Sequence, residues 1–189
     1  MSTLERPSIL LIIGSVRSGR RCPQIAEWVL SLADKSGQFA CEIVDLKEWH
    51  LPFSDEPSIP AKGGYTNDHT RAWSAKVAGA DGFVIVSPQY NWGYPAALKN
   101  ALDHLYKEWN DKPLVIVTYG GHGGDKCAKQ LRQVAEGLKM RPIDTMPAIT
   151  VAREEIENDT PQSLEDLKPF EASVQLALAE MSALLADAR

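Results

Sequence analysis

The chain has 189 residues, 44% hydrophobic and 24% charged, with a net charge of -5. That length suits one domain over residues 1–189, the acidic balance excludes a general nucleic-acid footprint, and no apolar run approaches the roughly 20 residues that span a bilayer. Cys22, Cys41 and Cys127 form neither an even set nor a Cys-x-x-Cys pair. With no secretory signal in Met1 to Leu10, the expectation is a cytoplasmic protein with reduced thiols and no membrane or nucleic-acid partner.

Ile9 to Ile13 is a continuous apolar run, the pattern of a parallel strand buried on both faces. Pro23 then predicts a helix start, with Ile25, Val29 and Leu32 at helical spacing. Glu42 to Leu46 reads as a short second strand. Leu51 to Asp68, rich in Pro, Gly and Ser, reads as a long surface loop bordering a ligand site. His69 to Ala80 is helix-like and Phe83 to Val86 is the third strand. Pro95 to Trp109 reads as one helix with Leu98, Ala101, Leu102, Leu105 and Trp109 on one face. Leu114 to Val117 is the fourth strand, followed by a helix over Asp125 to Leu138 with Ala128, Leu131, Ala135 and Leu138 inward. Ile143 to Val151 is read as the fifth strand. Leu167, Phe170, Val174, Leu178, Met181 and Leu185 mark a closing helix, which Pro169 starts or kinks. Strands alternating with helices predict an α/β fold of three layers, a doubly wound parallel sheet of five strands in the order 2-1-3-4-5.

Three loops follow strands one, three and four, which are neighbours in that order. Gly14 to Cys22 carries hydroxyls, Arg17, Arg20 and Arg21 before a helix. Such a loop suits one phosphate, or is a solvated turn. It lacks both the dinucleotide Gly-x-Gly-x-x-Gly and the Gly-Lys-Ser/Thr ending of a P-loop. Pro88 to Tyr94 is a rigid aromatic turn that either lines a ligand or packs on the core or a second subunit. Thr118 to Gly124 has four glycines around His122, so the backbone can approach a ligand closely, or simply flex. A phosphate pocket beside a flat slot has the shape of FMN. His50, His69, His104 and His122 have no metal-ligand spacing, so no metal site is expected.

Taken together, Gly14-Ser-x-Arg17, Pro88-Gln-Tyr-Asn91-x-Gly93-Tyr-Pro95-Ala-x-Leu98-Lys-Asn100-x-x-Asp103 and Tyr119-Gly-Gly-His-Gly-Gly124 resemble the NAD(P)H-dependent FMN reductases of flavodoxin-like fold, most of all their quinone-reductase members. The resemblance covers about residues 8 to 140. It implies bound FMN, NADPH or NADH as cosubstrate, and two-electron reduction of quinones, free flavin or similar acceptors by a ping-pong hydride mechanism. By position it implies that Ser15 and Arg17 bind the FMN phosphate, with Arg20 and the Cys22 backbone nearby. Pro88, Gln89, Tyr90 and Asn91, with Trp92 beside them, would line the ribityl chain and ring edge. Thr118, Tyr119, Gly120 and Gly121 would contact the other side of the ring, with the Gly120 and Gly121 backbone supporting the chemistry and no catalytic side chain or metal required. Arg20 to Cys22 depart from the commoner family pattern. An alternative function on the same site is a flavin-bound redox sensor or electron carrier acting through protein partners. The resemblance also implies a homodimer or dimer of dimers. Trp92, Tyr94, Tyr106 and Trp109 exceed what one helix face can bury, and this excess places that helix at the contact.

Overall fold

In this computed structural model, residues 6–158 and 163–187 are described; residues 1–5 of the amino-terminal stretch read above lie outside them. In chain order the elements are β1 (Ser8–Ile13), α1 (Cys22–Ser36), β2 (Ala40–Asp45), α2 (Asp68–Ala78), β3 (Gly82–Pro88), α3 (Ala96–Asp103), β4 (Pro113–Gly120), α4 (Asp125–Gly137), β5 (Arg141–Pro142), β6 (Ala148–Thr150), α5 (Arg153–Glu157), α6 (Leu164–Leu167) and α7 (Glu171–Asp187).

Every strand pairing is parallel, in the order β2-β1-β3-β4-β5, with β6 also on β4. The continuous apolar runs have their cause in the two faces of this sheet. Successive strand residues point to opposite sides, and both sides are covered. Ile9, Leu11, Ile13, Val84, Val86, Val115 and Val117 pack with residues of α1 and α7. Leu10, Ile12, Phe83, Ile85, Leu114 and Ile116 pack with residues of α2, α3 and α4. This is the expected flavodoxin-like, three-layer arrangement. The register sets Val86 of β3 beside Ile13 of β1 and Val117 of β4, so the loops that follow these strands leave the sheet at one edge.

Two expected elements take a different form. The fifth strand is broken: β5 pairs with the start of β4 and β6 with its end. Between them the backbone still tracks β4, with Ile143 N–H donating to Leu114 O (2.8 Å) and Thr118 N–H to Pro147 O (2.9 Å). Pro147 itself has no N–H for the ladder. The helix expected over Pro95 to Trp109 runs only over α3, with Pro95 capping its start and a single 3₁₀ turn at Lys107–Trp109. Its end leaves carbonyls without intrahelical partners, and aromatic side chains take them. Trp73 Nε1–H donates to Ala101 O (2.8 Å) and Trp109 Nε1–H to Leu102 O (3.1 Å). These two indoles are fully buried, so Trp109 belongs to the core, and Tyr106 is half-buried.

Candidate active site

The loop after β1 is drawn tightly against its neighbours. Gly14 N–H donates to Val86 O (2.9 Å). A Cβ at Gly14 would stand 3.1 Å from both that oxygen and Leu98 Cδ2, so a side chain here would have to push its neighbours back by a few tenths of an ångström. Ser15 is fully buried, and its hydroxyl meets the Tyr90 phenol at 2.8 Å. Arg17 is exposed, with its guanidinium 4.3 Å from the centroid of the Tyr90 ring, a cation–π contact. Arg20 is held differently. It forms a two-pronged pair with Asp45 at the end of β2, one prong at 2.9 Å, and donates to Ser15 O (2.7 Å). Its charge is therefore matched by a carboxylate while it braces the loop. Arg21 donates to Glu155 O in α5. Cys22 opens α1 with its thiol against Val86 O (3.0 Å), and burial pushes its pKa up to about 11.

After β3, Tyr90 and Gly93 exchange backbone hydrogen bonds of 2.8 and 2.9 Å. Between them Asn91 and Trp92 have φ of +47° and +71°, the backbone of a type I′ turn. A tryptophan in that region is strained, at a cost on the order of 1–3 kcal/mol. Trp92 is 64% exposed, with the Lys126 ammonium 4.0 Å above its ring. Gln89 has a role that its position did not suggest. Its Oε1 accepts from the Lys126 and Cys127 N–H groups (3.2 and 3.1 Å), two donors left open at the start of α4.

After β4, Thr118 is fully buried and its hydroxyl donates to Gly123 O (2.9 Å). Gly124 has φ +84°, and a Cβ there would lie 2.9 Å from Thr118 Cβ. The glycine loop is thus a tight, folded-back turn rather than a loose connection. The Gly120 carbonyl accepts from both Gly123 N–H and Val151 N–H, each at 3.0 Å. Tyr119 is buried, which raises its phenol pKa. His122 is exposed.

The three loops enclose a cleft of about 210 Å³. Arg17, Pro88, Gln89 and Tyr90 line it together with Tyr119, Gly120 and Gly121, all expected from sequence. Arg21, Val151 and Ile156 complete the wall. The latter two had no part in the expected site, because Val151 reads as the end of a strand and Ile156 sits in a segment given no element. A lone apolar residue within the polar run Arg153–Glu157 was the only signal. Ser15, Arg20, Cys22 and Thr118 stand behind this lining and shape it, and Asn91 and Trp92 form the exposed turn beside it. The lining holds two arginines and no carboxylate, so it favours an anion.

Away from the cleft, two of the histidines that lack ligand spacing in sequence come together in space. One donor atom each of Asp55, His69 and His104 lies within 4.8 Å of the others.

Residues 7–154 match the family described as NADPH-dependent FMN reductase. An NAD(P)H-dependent FMN reductase of Schizosaccharomyces pombe is 60% identical over 152 residues, covering 79% of this chain and 76% of that protein. A quinone reductase of Escherichia coli is 30% identical over 138 residues, covering 69% and 70%. Among solved structures, the flavoenzyme NAD(P)H:(acceptor) oxidoreductase FerB of Paracoccus denitrificans superposes with a TM-score of 0.72 at 17% identity, covering 94% of this chain and 98% of that one; at that identity it supports the fold. The sequence identities set the quinone reductase further away than the FMN reductase. The chain belongs to the NADPH-dependent FMN reductase family and is an NAD(P)H-dependent oxidoreductase of that kind.

Proposed function

We propose that the cleft and the loop after β1 hold FMN, and that the enzyme passes electron pairs from NADPH or NADH to quinones, free flavin or similar small acceptors. The observation that carries this reading is the convergence of Arg17 and Tyr90 with Gly120 and Gly121 around one carboxylate-free cleft. Its volume is below the roughly 300–1,000 Å³ of a whole ligand pocket. It matches the flat part of a mononucleotide, with the phosphate lying over the loop 14–21, which is exposed at residues 16–19. The donors fit that group: an exposed guanidinium at Arg17 and backbone N–H groups leading into α1, on a loop held in place by the buried Ser15–Tyr90 hydrogen bond. Arg20 and Asp45 brace this loop, and Cys22 contributes through its backbone.

Bound FMN supplies the two-electron chemistry; the chain orients it. Pro88, Gln89 and Tyr90 line one edge, with Asn91 and Trp92 at the rim. Tyr119, Gly120 and Gly121 line the other, and Thr118, buried behind them with its hydroxyl on Gly123 O and its N–H on Pro147 O, shapes the loop. With the Gly120 backbone held in the β4–β6 ladder, the Gly121 N–H is the donor that would meet negative charge on the ring. No thiol takes part as a nucleophile, since burial raises the pKa of Cys22, Cys41 and Cys127 to about 11 each. Nicotinamide and acceptor use one slot in turn. Initial rates are therefore expected to give parallel double-reciprocal lines, and intersecting lines would refute the shared slot. Arg17→Ala removes a charge-assisted bond of about 1.5–3 kcal/mol, so the FMN dissociation constant should rise at least about tenfold. An unchanged constant moves the phosphate elsewhere.

The same reading makes the protein a cytoplasmic homodimer, or a dimer of dimers, with the turn at Trp92 and Tyr94 in the contact. Support comes from Trp92, a large apolar ring held exposed at a backbone cost. Trp109, buried in the core, is not part of that surface.

A further inference from the structure

We propose that Asp55, His69 and His104 form a binding site for one divalent transition-metal ion of the zinc class, separate from the flavin cleft. The three residues come from different parts of the chain. Asp55 lies in the long segment between β2 and α2, His69 in the first turn of α2, and His104 directly after α3. One donor atom from each lies within 4.8 Å of the other two, and His69 Nε2 is 3.0 Å from Asp55 Oδ1.

His104 points to a ligand independently of that proximity. It is 2% exposed, and its Nδ1 lies 2.8 Å from the Asn100 carbonyl oxygen. A carbonyl only accepts, so Nδ1 carries the proton and donates, and Nε2 is left with a lone pair. That Nε2 is buried and has no hydrogen-bond partner among the described residues. A buried unpaired acceptor is unfavourable, and a bound cation would offset that cost. Metal-bound histidines are characteristically oriented in this way, the far nitrogen donating to a backbone carbonyl. The His69 ring stands edge-on to His104 with centroids 6.1 Å apart, so both imidazoles border one space.

The donor chemistry selects the metal. Two imidazole nitrogens and one carboxylate suit zinc and its borderline neighbours, whereas calcium and magnesium need a shell of oxygens. Zinc bonds of about 2.0–2.1 Å place tetrahedral donors about 3.4 Å apart. His104 is fixed, so the closing movement of about 1 Å falls on Asp55 and His69, which are exposed and half-buried. His69 then binds as the neutral ring with its proton on Nδ1, and the hydrogen bond now linking Nε2 to Asp55 is replaced by two bonds to the ion. Water completes the shell. The ion would pin the segment carrying Asp55 onto α2 and the end of α3.

Zinc chloride alone, titrated into the FMN-loaded protein, is the test. One equivalent should survive desalting, by elemental analysis, and should raise the thermal midpoint. His69→Ala and Asp55→Ala, both at accessible positions, should each weaken zinc binding at least tenfold and abolish the thermal shift while FMN content stays at the wild-type level. His122→Ala, which removes an exposed histidine of the glycine loop, should bind as the wild type does. Failure of the wild type to retain zinc, or equal retention by His69→Ala, overturns the proposal. Loss of FMN without loss of zinc would bear on the flavin site and leave this one standing.

Discussion

The Ser15 hydroxyl and the Tyr90 phenol lie 2.8 Å apart, although 75 positions separate them in sequence. The bond joins the loop after β1 to the turn after β3, and Arg17 closes over the same Tyr90 ring. The phosphate side and the ring side of the proposed FMN site are therefore one mechanical unit.

Tyr90→Phe removes the phenol and leaves the buried Ser15 hydroxyl without it. FMN binding should weaken about threefold to tenfold, the value of one neutral hydrogen bond, by flavin fluorescence titration. Ser15→Ala combined with Tyr90→Phe should cost less than the sum of the two single changes, with a coupling of about 0.5–3 kcal/mol. Strict additivity would mean that the two hydroxyls act separately.

Arg17 and Arg20 should separate cleanly. Arg20→Ala leaves Asp45, whose side chain is only 16% exposed, with the Lys47 N–H but without its cation, and is expected to lower unfolding stability by about 2 kcal/mol. Arg17→Ala should leave stability within about 0.5 kcal/mol and act on FMN affinity. Urea unfolding of both apo variants distinguishes the brace from the ligand contact.

Gly124→Ala forces a Cβ to 2.9 Å from Thr118 Cβ at a φ of +84°. A loss of about 2–3 kcal/mol is expected in thermal unfolding. Gly137, the last residue of α4, has open space around its would-be Cβ. Gly137→Ala should instead gain up to about 1 kcal/mol.

Stability should fall in alkali. Burial raises the Cys22 and Cys127 thiols from 9.0 to about 11, so the folded chain keeps protons that the unfolded chain has released. Their contribution is fully present below pH 9 and is lost as pH rises towards 11 and beyond, on the order of 2–3 kcal/mol for each group. Urea midpoints should be level from pH 7 to 8.5 and drop above 9, with a shallower drop in Cys22→Ala. An unchanged midpoint at pH 11 would contradict the assignment.

Trp92→Glu tests the assembly. In a two-fold contact the introduced carboxylate enters the same patch twice, so light scattering should show the dimer shifting to monomer at micromolar concentration, with activity falling in parallel. A wild-type monomer at that concentration would remove the interface.

The layers of the fold and the position of the site are legible along the chain because both depend on local pattern. A strand covered on two faces must be apolar throughout, as Ile9 to Ile13 and Phe83 to Val86 are, and the loops that leave such strands announce themselves by Pro, Gly and aromatic residues. The doubly wound order 2-1-3-4-5 reverses between β1 and β3, and ligands gather at that reversal, which placed the site at the loops beside it. Side-chain partnership has no local pattern. Arg20 meets Asp45 only because β2 lies beside β1, and Gln89 caps α4 only because β3 and β4 end together. Ile156 reaches the cleft from beyond a strand that breaks at Pro147, and His69 reaches His104 across two helices. Composition and period record which backbone a segment prefers and which face it buries. The pairing of distant polar groups is set by sheet register, loop length and helix termination, and these exist only once the chain has packed.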